Sequence, residues 1–140
     1  MQEENHFALL HFDFEQQFMH RQLPAQDFIH LAHLRLACLR ICRDGIEQAL
    51  PKIPEHLEAY CEAKDAANKF NLTLTVAAIK TVYHIVLKSQ AKDFAGFIAK
   101  YPQLHNNFKT LIGHHYGSDI FNSVEAKTRA LEPDLLPYDC

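Results

Sequence analysis

At 140 residues, the chain has the length of one domain, long enough to bury a core without a disulfide or metal staple. Its 48% apolar and 22% charged residues are ordinary for a globular protein. A net charge of −3 with neutral histidines gives no electrostatic case for nucleic acid or an anionic membrane.

The first helix is expected over about Asn5–Met19, where Phe7, Leu10, Phe14 and Phe18 recur at helical spacing. A break at Arg21–Gln26 around Pro24 follows. Helix two is expected over Gln26–Arg43, ended by Asp44-Gly45. Helix three is expected over Ile46–Asn68 with the stripe Ile46, Ala49, Leu50, Ile53, Leu57, Tyr60 and Cys61. Pro51 and Pro54 predict a kink in it, or a short helix followed by a longer one. Helix four is expected over Leu72–Gln90, capped by Asn71 or Thr73. The tail predicts helices at Ala91–Lys100 and Gln103–His114, a turn near Ser123–Ala130, and an extended end with Pro133 and Pro137.

This pattern predicts an all-α, single-domain antiparallel bundle of five to six helices over residues 1–140, with an extended C-terminal tail. No apolar run approaches the roughly 18 residues of a membrane span. The start, MQEENHFALL, lacks a basic leader region. A cytoplasmic protein is therefore expected, with Cys38, Cys42, Cys61 and Cys140 as reduced thiols. Cys38 and Cys42 share a helix face, as zinc ligands or as small buried hydrophobes.

Helix two reads QDFIHLAHLRLACLRICR. On a wheel of about 100° per residue, Leu31, Leu34, Ala37, Cys38, Ile41 and Cys42 form the core arc. His30 falls inside this arc and His33 near its edge, while Arg35, Arg40 and Arg43 fall outside. Two imidazoles one turn apart are either hydrogen-bonded structural groups or ligands for a divalent transition metal. They lack the spacing and glutamate of H-E-x-x-H.

With short connections, helices two and four run parallel, and their starts fall at one end of the bundle. Asn71 and Thr75 then join His30 and His33 as polar site groups, with Tyr83 deeper. Singly, Asn71 reads as a cap and Thr75 as a core threonine bonded to a backbone carbonyl. The expected occupant is a divalent metal or a small polar ligand. If there is catalysis, a histidine is the natural general base.

QLPAQDFIHLAHLRLACLRI resembles the opening of a family of small uncharacterised bacterial helical proteins with the pattern L-P-x-x-x-F-x-H-x-x-H-L-R-x-A. Here these are Leu23-Pro24, Phe28, His30, His33, Leu34, Arg35 and Ala37. Lys69–Thr75 resembles the family's K-Y-H-x-T-L-T. Tyr116, Ser123, Ala126-Lys127 and Glu132–Pro137 are similar to a late family segment. The resemblance spans about residues 9–137 and implies a location for a site, with no activity attached. It also implies a third histidine where this chain has Asn71, which weakens a zinc-like site because a neutral amide is a poor ligand.

His114 and His115 point about 100° apart, so at most one joins a site, and both suit a helix C-terminus. Glu58 and Glu62 fall on a solvated face, as does the arginine row of helix two. His84 is expected to be solvated. The competing expectation is an interaction or oligomeric module, because Ala32, Leu36 and Leu39 make helix two apolar nearly all round.

Overall fold

The computed structural model describes residues 11–28, 30–89 and 94–138. The described residues hold eight α-helices and no strand, and the fold is all-α. The predicted start of the first helix, with Phe7 and Leu10, lies outside them, as do the predicted start at Ala91 and the thiol of Cys140. Two compact units divide the chain, Met1–Lys69 and Phe70–Cys140.

The first unit contains α1 (His11–Met19), α2 (His30–Asp44) and α3 (Ile46–Ala63). A 3-10 turn at Ala25–Asp27 precedes α2. Helix two thus begins later than expected, because Phe28 (φ −91°, ψ 62°) leaves helical geometry after that turn. Helices α2 and α3 pack against each other, and α1 packs on α3. Their link is Gly45 alone, at φ 83° and ψ 162°. That conformation is open essentially only to glycine.

Helix α3 runs unbroken through Pro51 and Pro54. Each proline removes one backbone donor, Pro51 in the second turn and Pro54 at mid-helix, while Ala49, Ile53, Leu57 and Tyr60 stay buried in register. The apolar stripe holds the helix where local propensity would kink it. Its end comes at Ala63, earlier than expected, with Asp65 in the left-handed region at φ 54°. Aspartate tolerates that region better than most residues.

The core of this unit is aromatic. Phe18 is 1% exposed, and its ring centroid lies 5.2 Å from both Phe28 and Tyr60. The Tyr60 hydroxyl donates to the Leu23 carbonyl at 2.7 Å.

The second unit contains α4 (Leu72–Lys88), α5 (Phe94–Lys100), α6 (Gln103–Asn106), α7 (Phe108–Gly113) and α8 (Val124–Thr128). Asn71 caps α4, its Oδ1 accepting from the Leu74 N–H at 2.9 Å. The single helix expected over Gln103–His114 is split at Asn107 (φ −142°, ψ 33°). Ser123 caps α8 through the Ala126 N–H. Helix α4 packs on α7 and α8. Ala77, Ile112, Tyr116, Ile120 and Ala126 form the core.

The expected extended tail is present, and polar groups strap it down. The Thr73 hydroxyl donates to the Arg129 carbonyl and accepts from the Leu131 N–H. The Tyr116 hydroxyl donates to the Leu131 carbonyl at 2.8 Å. Thr73→Val keeps the side-chain shape and removes both threonine bonds. It is expected to cost about 2 kcal/mol, read as a lowered urea midpoint. An unchanged midpoint would show that the strap contributes nothing to stability.

Candidate functional site

The five residues singled out above fall into two groups. His30 and His33 lie in the first unit; Asn71, Thr75 and Tyr83 lie in the second.

His30 is the first residue of α2 and is exposed. The wheel put it on the core arc, but a side chain in the first turn has no preceding helix beside it. His33 keeps an exposed edge, and its ring stacks on Phe28 with centroids 4.1 Å apart and planes 13° from parallel. Phe28 is itself fixed edge-on to Tyr60, 4.8 Å between centroids. Crowding around the His33 imidazole holds its pKa below the ordinary value; the charge of His30 acts the same way, and a hydrogen bond to the Phe28 backbone opposes both. A neutral ring with one nitrogen tied to the backbone leaves the other as an acceptor.

Asn71 is buried and committed at both ends of its amide. Its Oδ1 caps α4, and its Nδ2 donates to the Ile120 carbonyl at 2.7 Å. The Thr75 hydroxyl donates back to the Asn71 carbonyl at 2.7 Å. Tyr83 is half-buried on α4. Asn71 and Thr75 are therefore neighbours in a helix-start motif, and their described bonds are structural.

Among the described residues, no three His, Cys, Asp or Glu side chains gather closely enough to hold a metal ion. Cys38 is buried, and its pKa is pushed up to about 12, by burial first and by Cys42 second. Such a thiol is a small hydrophobe and not a ready metal ligand. Glu58 and Glu62 are exposed, as the wheel expects.

The wheel misplaces two arginines. Arg35 is 1% exposed, its guanidinium 4.6 Å over the Phe14 ring. Arg40 is 4% exposed and pairs with Glu15 through Nε. It also donates to Met19 Sδ at 3.0 Å and to His56 Nδ1 at 3.1 Å. An arginine only donates, so Nδ1 of His56 carries the lone pair. Arg43, more than half exposed, reaches Glu15 Oε2 at 3.0 Å. Burial alone would raise the Glu15 pKa; hydrogen bonds from Arg43 and Arg40 outweigh it and hold the carboxyl below its usual value. The counter-charge comes from α1, so no pattern within helix two announces the pair.

In the second unit, His115 Nδ1 donates to the Leu136 carbonyl at 2.6 Å, and its ring stacks 3.8 Å from Tyr138. His114 is exposed. One histidine of the adjacent pair is thus used, in holding the tail. His84 is half-buried, 6.5 Å between its ring centroid and that of Tyr138, and is not the solvated group expected.

Compared with known proteins, the chain matches no family model, no curated protein and no solved structure.

Proposed function

We propose that the protein is a small helical binding module whose contact point is the His30–His33 pair beside Phe28, taking a divalent transition metal ion. The observation that carries this reading is the posture of His33. Its ring is clamped flat on an aromatic, one nitrogen is tied to the backbone, and the residue is exposed. Metal-binding histidines are oriented in this way, by a bond from the second nitrogen to a carbonyl. Two imidazoles leave the remaining coordination positions to water or to a small polar ligand. The family resemblance supports the same location. The cytoplasmic placement expected from the sequence belongs to this reading, and the free thiols Cys38, Cys42 and Cys61 suit it.

Calorimetric titration with Zn²⁺ and Ni²⁺, together with metal analysis, tests the proposal. One ion per chain is expected, with affinity falling on the order of tenfold or more in His33→Ala and in His30→Ala. No binding by the parent protein, or binding unchanged from the parent in either variant, overturns it.

The interaction-module reading loses its first ground, because Ala32 and Leu36 are buried and Leu39 is half-buried. Its remaining support is the adjacent pair Leu135 and Leu136, each 58% exposed. Light scattering tests the oligomeric form: a strict monomer at all concentrations removes it.

A further inference from the structure

Residues 131–138 are gripped at both ends and in the middle, by α4 and by residues 115–117 after α7. At one end, the Thr73 hydroxyl holds the Arg129 carbonyl and the Leu131 N–H, and the Tyr116 hydroxyl donates to the Leu131 carbonyl. In the middle, the Gly117 N–H donates to Asp134 Oδ1 at 2.8 Å, and the Leu135 N–H donates to the His115 carbonyl at 3.0 Å. At the other end, His115 Nδ1 donates to the Leu136 carbonyl, and the hydroxyls of Tyr138 and Thr81 share a hydrogen bond at 2.9 Å. The Tyr138 ring is stacked on His115, with the Lys80 ammonium 5.9 Å from its centroid.

Two properties set this segment apart from the helices beneath it. Its burial is shallow: Leu131, Pro133 and Tyr138 are half-buried, and the rest is exposed. The core below, Ala77, Ile112, Ile120 and Ala126, is closed by the packing of α4 on α7 and α8, which survives loss of the segment. A segment with few buried contacts and exposed hydrogen bonds opens at low free energy. It is also stiff. Pro133 and Pro137 fix their own φ and restrict Glu132 and Leu136 before them, so half of its residues have little backbone freedom. A stiff segment does not peel residue by residue; release of one end carries the other. Arg129 and Ala130, both exposed and beyond the end of α8, supply the hinge. We infer that residues 131–138 are a hinged strap that opens as one unit while α4, α7 and α8 stay folded, and so gates the polar face of α4. Closed, the strap seals Thr73 and Thr81, which are 1% and 7% exposed. Open, it presents both hydroxyls to solvent, together with the Tyr116 hydroxyl and the His115 ring.

Native-state hydrogen exchange of the full chain, read amide by amide by NMR across low urea, tests this. The amides of Gly117, Leu131 and Leu135 each donate across the contact between strap and body. They are expected to share one opening free energy. It should be lower, and less dependent on urea, than that of Ile79 and Val82 in α4, because opening the strap exposes less surface than unfolding the unit. Tyr138→Ala, a change at the far end of the strap, is the second measurement. It should speed exchange at Leu131 by the same factor as at Gly117 and Leu135, on the order of tenfold. Three different opening energies, opening only together with Ile79 and Val82, or a Tyr138→Ala effect that does not reach Leu131 overturns the proposal.

Discussion

Replacing Glu15 by alanine is expected to destabilise the protein by about 3 kcal/mol, because it strands Arg40 in the interior. Arg40 is 4% exposed and Glu15 7%. The half-exposed Arg43 contributes little of this, since solvent screens its share of the pair. For a chain of this length, that loss corresponds to a fall in melting temperature of about 10 °C. The double change Glu15→Leu with Arg40→Met removes both charges and keeps volume. It should lie within about 1 kcal/mol of the parent, since the desolvation cost of the pair disappears with it. Thermal melts followed by circular dichroism separate the two cases. A single variant melting within a degree or two of the parent would mean that the pair is not buried in solution.

The same cluster predicts a direction with pH. His56 has its pKa lowered below 6.5, by burial first and then by the Arg40 charge. Its unfolded form takes up a proton more readily, so its contribution is present above about 6.5 and is lost as pH falls toward its folded value. His33 is shifted the same way and adds to this step. Glu15, lowered from 4.5, gives a second loss below that value, as pH falls through its folded pKa. Urea midpoints are therefore expected to decline from pH 7 to 5 and again below 4.5. His56→Gln should shrink the first step and leave the second. A flat profile between pH 7 and 5 would contradict the placement of both imidazoles.

Phe18→Ala is the second large effect, expected at about 4 kcal/mol. The residue is 1% exposed and touches the two rings that frame the histidine face, Phe28 and Tyr60. Truncation opens a cavity that the surrounding helices cannot easily close. It also removes one support of Phe28, the ring on which His33 lies. Metal affinity should therefore fall along with stability, through the Phe28 ring on which His33 lies. Phe18→Leu fills more of the space and should cost markedly less. A loss below about 1 kcal/mol in the alanine variant would show that the aromatic cluster is not the core of this unit.

Local sequence determined the helices and most of their ends. Gly45 after Asp44, Asn71 before Leu72 and Ser123 before Val124 carry the chemistry of stops and caps within a few residues, so their roles are legible in one dimension. The buried stripe of α3 was equally legible, because apolar periodicity records burial directly; that of α2 was legible only in part, since Cys42 of its core arc is exposed and Ala32 and Leu36 opposite the arc are buried. The His30–His33 spacing was visible too. The clamp that orients His33 was not, since it depends on where the chain turns at Phe28.

Only the tertiary structure decided the fate of the charges and polar tips. Arg40 reads as a surface residue until Glu15, 25 positions earlier, is brought against it. Asn71 reads as a site group until its amide is seen bonded to Leu74 and Ile120. Thr73 reads as a cap until the tail returns to it across 58 residues. Hydrophobic burial is a property of each residue and leaves a periodic trace. A buried polar group is stable only through its partner, and no local pattern names a partner distant in sequence.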